Sequence, residues 1–123
     1  MKLYCFGESG HSYKAALALQ LAEIDWTPIF VDFFNGETRS DQYRNQVNEM
    51  GEAPVLVDGD IKLTQSGVIQ NYLYNRTGKH GGKDEAEKLE ILRWILWDNH
   101  KLSSFAGNTR FCLLYTSPSP RDS

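Results

Sequence analysis

The stretch Met50-Gly-Glu-Ala-Pro-Val-Leu-Val-Asp-Gly-Asp-Ile-Lys-Leu-Thr-Gln-Ser66 decides the reading of this chain. Two short apolar runs, Val55 to Val57 and Ile61 to Leu63, flank Asp58-Gly59, a dipeptide suited to a tight hairpin turn. Pro54 stands where the first strand begins, where its missing N–H can face away from the ladder. Directly after the second strand comes Thr64-Gln65-Ser66 and then an apolar-rich run. Ser66 reads as the N-cap of a helix there, its hydroxyl taking a backbone N–H of the first turn. A strand pair feeding a helix opening makes a compact place to hold a small anion. On these residues alone, an ordinary hairpin followed by a helix fits equally well.

Working outward toward the N-terminus, Lys2 to Phe6 is a strand pattern, and Gly7 to Ser12 is a small-residue loop. A helix is expected from Ser12 or Tyr13 to Ala22, rich in Ala, Leu, Lys and Gln. Trp26 to Phe33 supplies a second strand, with Pro28 at its edge or its beginning. Strand, helix and strand at these lengths imply a βαβ unit with parallel pairing. Asn35 to Glu49 is polar, with Tyr43 and Val47 as its evident anchors, and reads as a loop and a short, loosely held helix. After the hairpin, Val68, Ile69, Tyr72 and Leu73 give a helix from Ser66 to about Asn75 a core-facing stripe. The order βαβ-α-ββα implies an α/β fold, one mixed four-stranded sheet with helical cover.

Residues 78–84 form a linker. Asp84 and Glu87 have capping-box spacing at the start of another helix, whose Leu89, Leu92, Trp94, Ile95, Leu96 and Trp97 offer more apolar surface than one helix can hide. Such a surface implies further helices to pack against. From Cys112 the pattern changes: residues 112–123 resemble the translation of a sequencing-library transposon adapter. The resemblance implies a non-native tail on a truncated fragment, a Ser/Pro-rich disordered tail being the ordinary alternative.

Composition excludes several functions. Thirteen basic residues against 16 acidic give a net charge of -3 without a basic block, which argues against nucleic-acid binding. Cys5 and Cys112 share no dithiol or metal-ligand spacing, so no metal site is expected. No apolar run is long enough to span a bilayer, and no signal-peptide pattern opens the chain; a cytoplasmic protein is the expectation.

With Ser9, Pro54 and Gln65-Ser66 placed, the chain resembles the N-terminal, thioredoxin-like half of a soluble glutathione transferase of the serine type. Four features carry the resemblance: Lys2-Leu-Tyr4 followed by Ser9-Gly-His-Ser12 at a helix start, Asn48-Glu-Met-Gly-Glu-Ala-Pro54, the Val-Leu-Val-Asp-Gly hairpin, and Leu63-Thr-Gln-Ser66 before a helix. It covers residues 1–77 as a first domain and continues more loosely beyond the linker, implying that residues 85–111 are the beginning of the family's all-helical second domain. It implies that Ser9 hydrogen-bonds the glutathione sulfur and that Ala53-Pro54 is a cis bond. Ala53 would pair with the cysteinyl part, and Gln65 and Ser66 would hold the γ-glutamyl group. His11 and Ser12 are further candidates near the site. Glu52 stands where the family often has a basic or amide residue, which puts a glycyl contact in doubt. The implied co-substrate is glutathione and the second substrate a small electrophilic organic molecule, in a homodimer when full-length. Two other functions stay open: glutathione-dependent thiol-disulfide or peroxide reduction, and a non-catalytic binding or regulatory protein.

Overall fold

The computed structural model describes residues 1–103. The expectations for residues 104–111 and for the tail 112–123 lie outside them. Four strands, β1 (Lys2–Cys5), β2 (Thr27–Phe30), β3 (Val55–Asp58) and β4 (Ile61–Thr64), form one sheet in the order β2-β1-β3-β4. β1 pairs parallel with β2 and antiparallel with β3, and β3 pairs antiparallel with β4, so the sheet is mixed. Four α-helices accompany it: α1 (Gly10–Leu21), α2 (Asp41–Gln46), α3 (Ser66–Thr77) and α4 (Glu85–Trp97). The order βαβ-α-ββα expected from the sequence is the one observed, with α4 following.

Strand alternation sorts the core into two layers. Leu3 and Leu56 face each other across the β1–β3 ladder and join Ala15, Ala18 and Leu19 of α1 and Ile69 and Leu73 of α3 in one buried cluster. Complete burial of each Leu or Ile contributes about 1.5–3 kcal/mol. Alanine at positions 15 and 18 lets α1 lie close to the sheet, since both are buried without a long side chain to accommodate. Tyr4 and Phe6 take the other face. Tyr4 meets the ring of Tyr43 edge-on at 6.5 Å, and Phe6 stacks on Phe33 at 4.7 Å.

Several boundaries differ from expectation. α1 starts at Gly10 because Ser9, not Ser12, is its N-cap: the Ser9 hydroxyl accepts the Ser12 N–H at 3.0 Å. The second strand stops at Phe30, and the chain then turns through short 3-10 segments at Phe33–Asn35 and Glu37–Arg39. The hairpin loop is Gly59-Asp60 rather than Asp58-Gly59, because Asp58 still pairs with Ile61. Gly59 has φ +60°, which its missing Cβ permits at the first loop position. α3 begins at Ser66 with Gln65 as its N-cap residue and ends at Thr77 before a left-handed Gly78. Its apolar stripe is narrower than expected: Ile69 and Leu73 are buried, Tyr72 is half-buried, and Val68 is exposed.

α2 is not loosely held. Ser40 caps it by accepting the Tyr43 N–H at 3.1 Å, and Tyr43 is only 2% exposed. The phenol donates to the Glu52 carbonyl at 2.8 Å, and the Asn48 amide donates to the same oxygen at 3.0 Å. Burial, reinforced by nearby carboxylates and Tyr4, pushes the Tyr43 phenol up to about 12, so it stays a donor. The polar residues of this stretch fasten the backbone just ahead of Ala53-Pro54, a task that hydrophobic periodicity does not display.

Candidate functional site

The Ala53-Pro54 peptide is cis, and Pro54 is buried at the start of β3. Beside it the end of β4 turns into α3 through Gln65, whose backbone sits at φ 73° and ψ 122°. This left-handed geometry costs a non-glycine residue on the order of 1–3 kcal/mol. It also ends the strand within one residue, so that Ser66 opens α3 directly. The first intrahelical bond there runs from the Ile69 N–H to the Gln65 carbonyl. The N–H groups of Ser66, Gly67 and Val68 therefore have no preceding turn to bond, and they carry the positive end of the α3 dipole.

A cavity of about 110 Å³ lies at this junction, lined by His11, Glu52, Ala53, Pro54, Gln65, Ser66 and Asn99. Six of the residues singled out from sequence thus meet in one place: His11, Glu52, Ala53, Pro54, Gln65 and Ser66. His11 comes from α1, with its Nδ1 3.2 Å from the Ser66 hydroxyl. Burial lowers the His11 pKa below the usual imidazole value and the Lys14 ammonium adds to this, while Asp98 and Glu52 oppose it. Ser66 is buried, and its hydroxyl also lies 3.4 Å from Asn99 Oδ1.

The two candidate serines of α1 separate cleanly. Ser12 is buried, and its oxygen accepts the Phe6 N–H at 3.5 Å, back toward the end of β1. Ser9 occupies the cap two residues before His11. Its oxygen takes the Ser12 N–H, and no hydrogen bond among the described residues commits its own proton. Neither serine lines the small cavity.

Two residues that the sequence did not point to belong here. Asn99 lines the cavity from a π-helical turn, Asp98–Leu102, that continues α4. Lys14, on α1, bonds Asp98, Asn99 and Ser103 in that turn. Nothing in the pattern of residues 1–77 indicates that position 99 would meet position 66. Among the described residues, no group of three or more His, Cys, Asp or Glu is arranged to hold a metal, and no helix is long and apolar enough to cross a membrane.

A family model for the N-terminal domain of glutathione S-transferases matches residues 1–75. The chain belongs to the glutathione S-transferase family. Among curated relatives, glutathione S-transferase F14 of Arabidopsis thaliana is 32% identical over 111 residues, covering 87% of this chain and 43% of that protein. Glutathione S-transferase Z2 of the same plant is 36% identical over 73 residues, 59% of this chain and 32% of that protein. The chain thus spans less than half the length of these relatives. A crystal structure of a possible glutathione S-transferase from Rhodopseudomonas palustris superposes with a TM-score of 0.83 at 30% identity, covering 91% of this chain and 58% of that one. The mixed four-stranded sheet with its helices is the thioredoxin-like fold of the family, and α4 begins the helical part.

Proposed function

We propose that this chain carries the glutathione-binding part of a transferase, which ionises the glutathione thiol for attack on a small electrophilic organic molecule. The observation that carries the reading is the Ser9 cap. Its oxygen is occupied by the helix it starts, and no hydrogen bond among the described residues takes its proton. A thiol near pKa ~8.5–9 is mostly protonated at neutral pH, and lowering it by two units takes about 2.7 kcal/mol. A hydroxyl donor and the positive end of α1 both favour thiolate over thiol. In this reading the Ala53 backbone pairs with the cysteinyl part, while Gln65, Ser66 and the open N–H groups of α3 receive the γ-glutamyl carboxylate. Ser9, outside the small cavity, then serves the sulfur end of a ligand that extends beyond it.

Cys5 favours thiol transfer to an external electrophile over disulfide exchange through the protein. It is the free cysteine among the described residues, half-buried within β1. Burial raises its pKa against a smaller opposing effect of the Ile29 backbone, so it is poorly suited to attack. The same reading divides the protein at residues 78–84 into a glutathione-binding domain and a helical domain. It also carries the family's expectation of a cytoplasmic homodimer at full length.

The test is a pH titration of the thiolate absorbance of glutathione bound to the chain. Ser9→Ala should raise the bound thiol's pKa by about 1–2 units, the loss of one charge-assisted hydrogen bond worth about 1.5–3 kcal/mol. Ser12→Ala should leave it in place. The reverse pattern would transfer the role to Ser12. A wild-type chain that binds glutathione without ionising it below its solution value would replace the transferase with a non-catalytic binding protein.

A further inference from the structure

Lys14 is an α1 residue whose side chain reaches away from its own helix. The ammonium, 19% exposed, donates to Asp98 Oδ2 at 2.7 Å, to Asn99 Oδ1 at 2.7 Å and to Ser103 Oγ at 3.0 Å. An ammonium has three protons, and all three are taken, so none is left for a ligand. Ser103 in turn donates to Asp98 Oδ1 at 2.7 Å. Burial alone would raise the Asp98 pKa, but the Lys14 and Ser103 hydrogen bonds hold it below the usual carboxylate value. The positive charge is thus matched locally by a carboxylate, and what Lys14 imposes on its surroundings is orientation.

That orientation falls on Asn99. Because an ammonium can only donate, the Asn99 atom facing Lys14 must be the carboxamide oxygen, and the nitrogen must lie on the other side. There it rests against Gly67 at the opening of α3. A Cβ at Gly67 would stand 2.7 Å from Asn99 Nδ2 and 2.8 Å from Ile95 Cγ2, so glycine is what allows the approach. We infer that Lys14 is a positioning residue. By holding the Asn99 oxygen it presents the Asn99 nitrogen as an added donor, beside the open N–H groups of α3, to the α-carboxylate of the γ-glutamyl group. This rests on the glutathione reading above and assigns a part of the ligand to residues beyond 1–75. Without Lys14 the oxygen keeps only its 3.4 Å contact with the Ser66 hydroxyl, a group that can donate or accept, so the carboxamide can turn and its oxygen would meet the carboxylate as a repelling dipole.

Calorimetric titration of the chain with two ligands tests this. One is glutathione; the other is its analogue with the glutamyl α-carboxylate converted to a carboxamide. The wild type should prefer glutathione by about tenfold or more. Lys14→Met should weaken glutathione by about five- to tenfold and leave the analogue nearly unchanged, so the preference collapses. Lys14→Arg, which restores a cation that only donates, should recover most of it. Gly67→Ala and Asn99→Leu reach the same carboxamide by other routes, and should also erase the preference if Lys14→Met fails to fold. An equal loss for both ligands, or an unchanged preference, would reduce Lys14 to a tie between α1 and the turn after α4 and overturn the inference alone. A wild-type chain that binds neither ligand would overturn the glutathione reading and this inference with it.

Discussion

Helices α1 and α4 are nearly the same length, 12 and 13 residues, and each starts from a side-chain cap. They differ in what they bury. α1 puts Ser12, Ala15, Ala18 and Leu19 out of solvent, most of them small; α4, with much larger apolar side chains, buries none. Leu89, Trp94 and Leu96 of α4 are 65%, 52% and 59% exposed. Apolar content therefore does not measure how much a helix contributes to the fold. α1 packs against both the sheet and α3, so a methyl group there displaces water on several sides. α4 touches the rest of the described structure at Ile95 and through the turn that follows, where Gly67 and Lys14 receive it.

This contrast is sharpest in truncation. Leu56→Ala, in a central strand with no exposure, should destabilise the chain by about 2–5 kcal/mol, read from the midpoint of urea unfolding. Leu96→Ala removes the same atoms and should stay within about 0.5 kcal/mol. A large loss at Leu96 would mean that α4 belongs to the cooperative core.

The caps make a finer comparison. Ser9 accepts the Ser12 N–H at 3.0 Å, and Asp84 accepts the Glu87 N–H at 2.9 Å. Ser9→Ala should lower global stability by about 1 kcal/mol. Asp84→Ala removes a bond of the same kind, yet its effect should be local. Amide exchange should quicken in α4 while the sheet keeps its protection. Uniform acceleration in both regions would erase the distinction.

The smallest expected effect concerns pH. The folded pKa of His11 is depressed, so the unfolded chain takes up its proton first on acidification. The stability associated with neutral His11 is present above the ordinary imidazole value, about 6.5, and declines as pH falls toward the folded pKa. The charges that face it are those of Lys14, Asp98 and Glu52. His11→Gln should flatten the unfolding midpoint between about pH 7 and 5.5 relative to wild type. A His11→Gln slope equal to that of the wild type would show that the burial of His11 has no energetic consequence.

Local chemistry made most of the sheet legible in the sequence. Val55 to Val57, a two-residue turn and Ile61 to Leu63 can hardly be anything but a hairpin, and Ala-rich residues 15–22 can hardly be a strand. Helix starts were harder to read. The small residues Gly7 to Ser12 read as a loop, which puts the start of α1 at Ser12 or Tyr13, yet Ser9 already supplies the bond that lets Gly10 and His11 join the first turn. At α3 the error ran the other way. Ser66 looked like the cap, but the left-handed backbone of Gln65 makes the entry without any side-chain cap bond. Ala53, Pro54, Gln65 and Ser66 were reached through the family resemblance, which the residues flanking one short hairpin carry. The Lys14–Asn99 bond joins positions 85 residues apart, and the Tyr43 bond ends on a backbone carbonyl. Neither leaves a periodic or compositional trace.

Gln65 has one more consequence, for anyone selecting variants of this protein. The conformation that throws the chain from β4 into α3 would suit glycine better than any side chain, while the proposed hold on the γ-glutamyl group draws on the glutamine, which lines the cavity. Selection for soluble yield and selection for ligand capture should therefore pull this position apart. A library screened only for expression should accumulate glycine at 65 and drift toward a well-behaved scaffold with a weakened grip on its ligand.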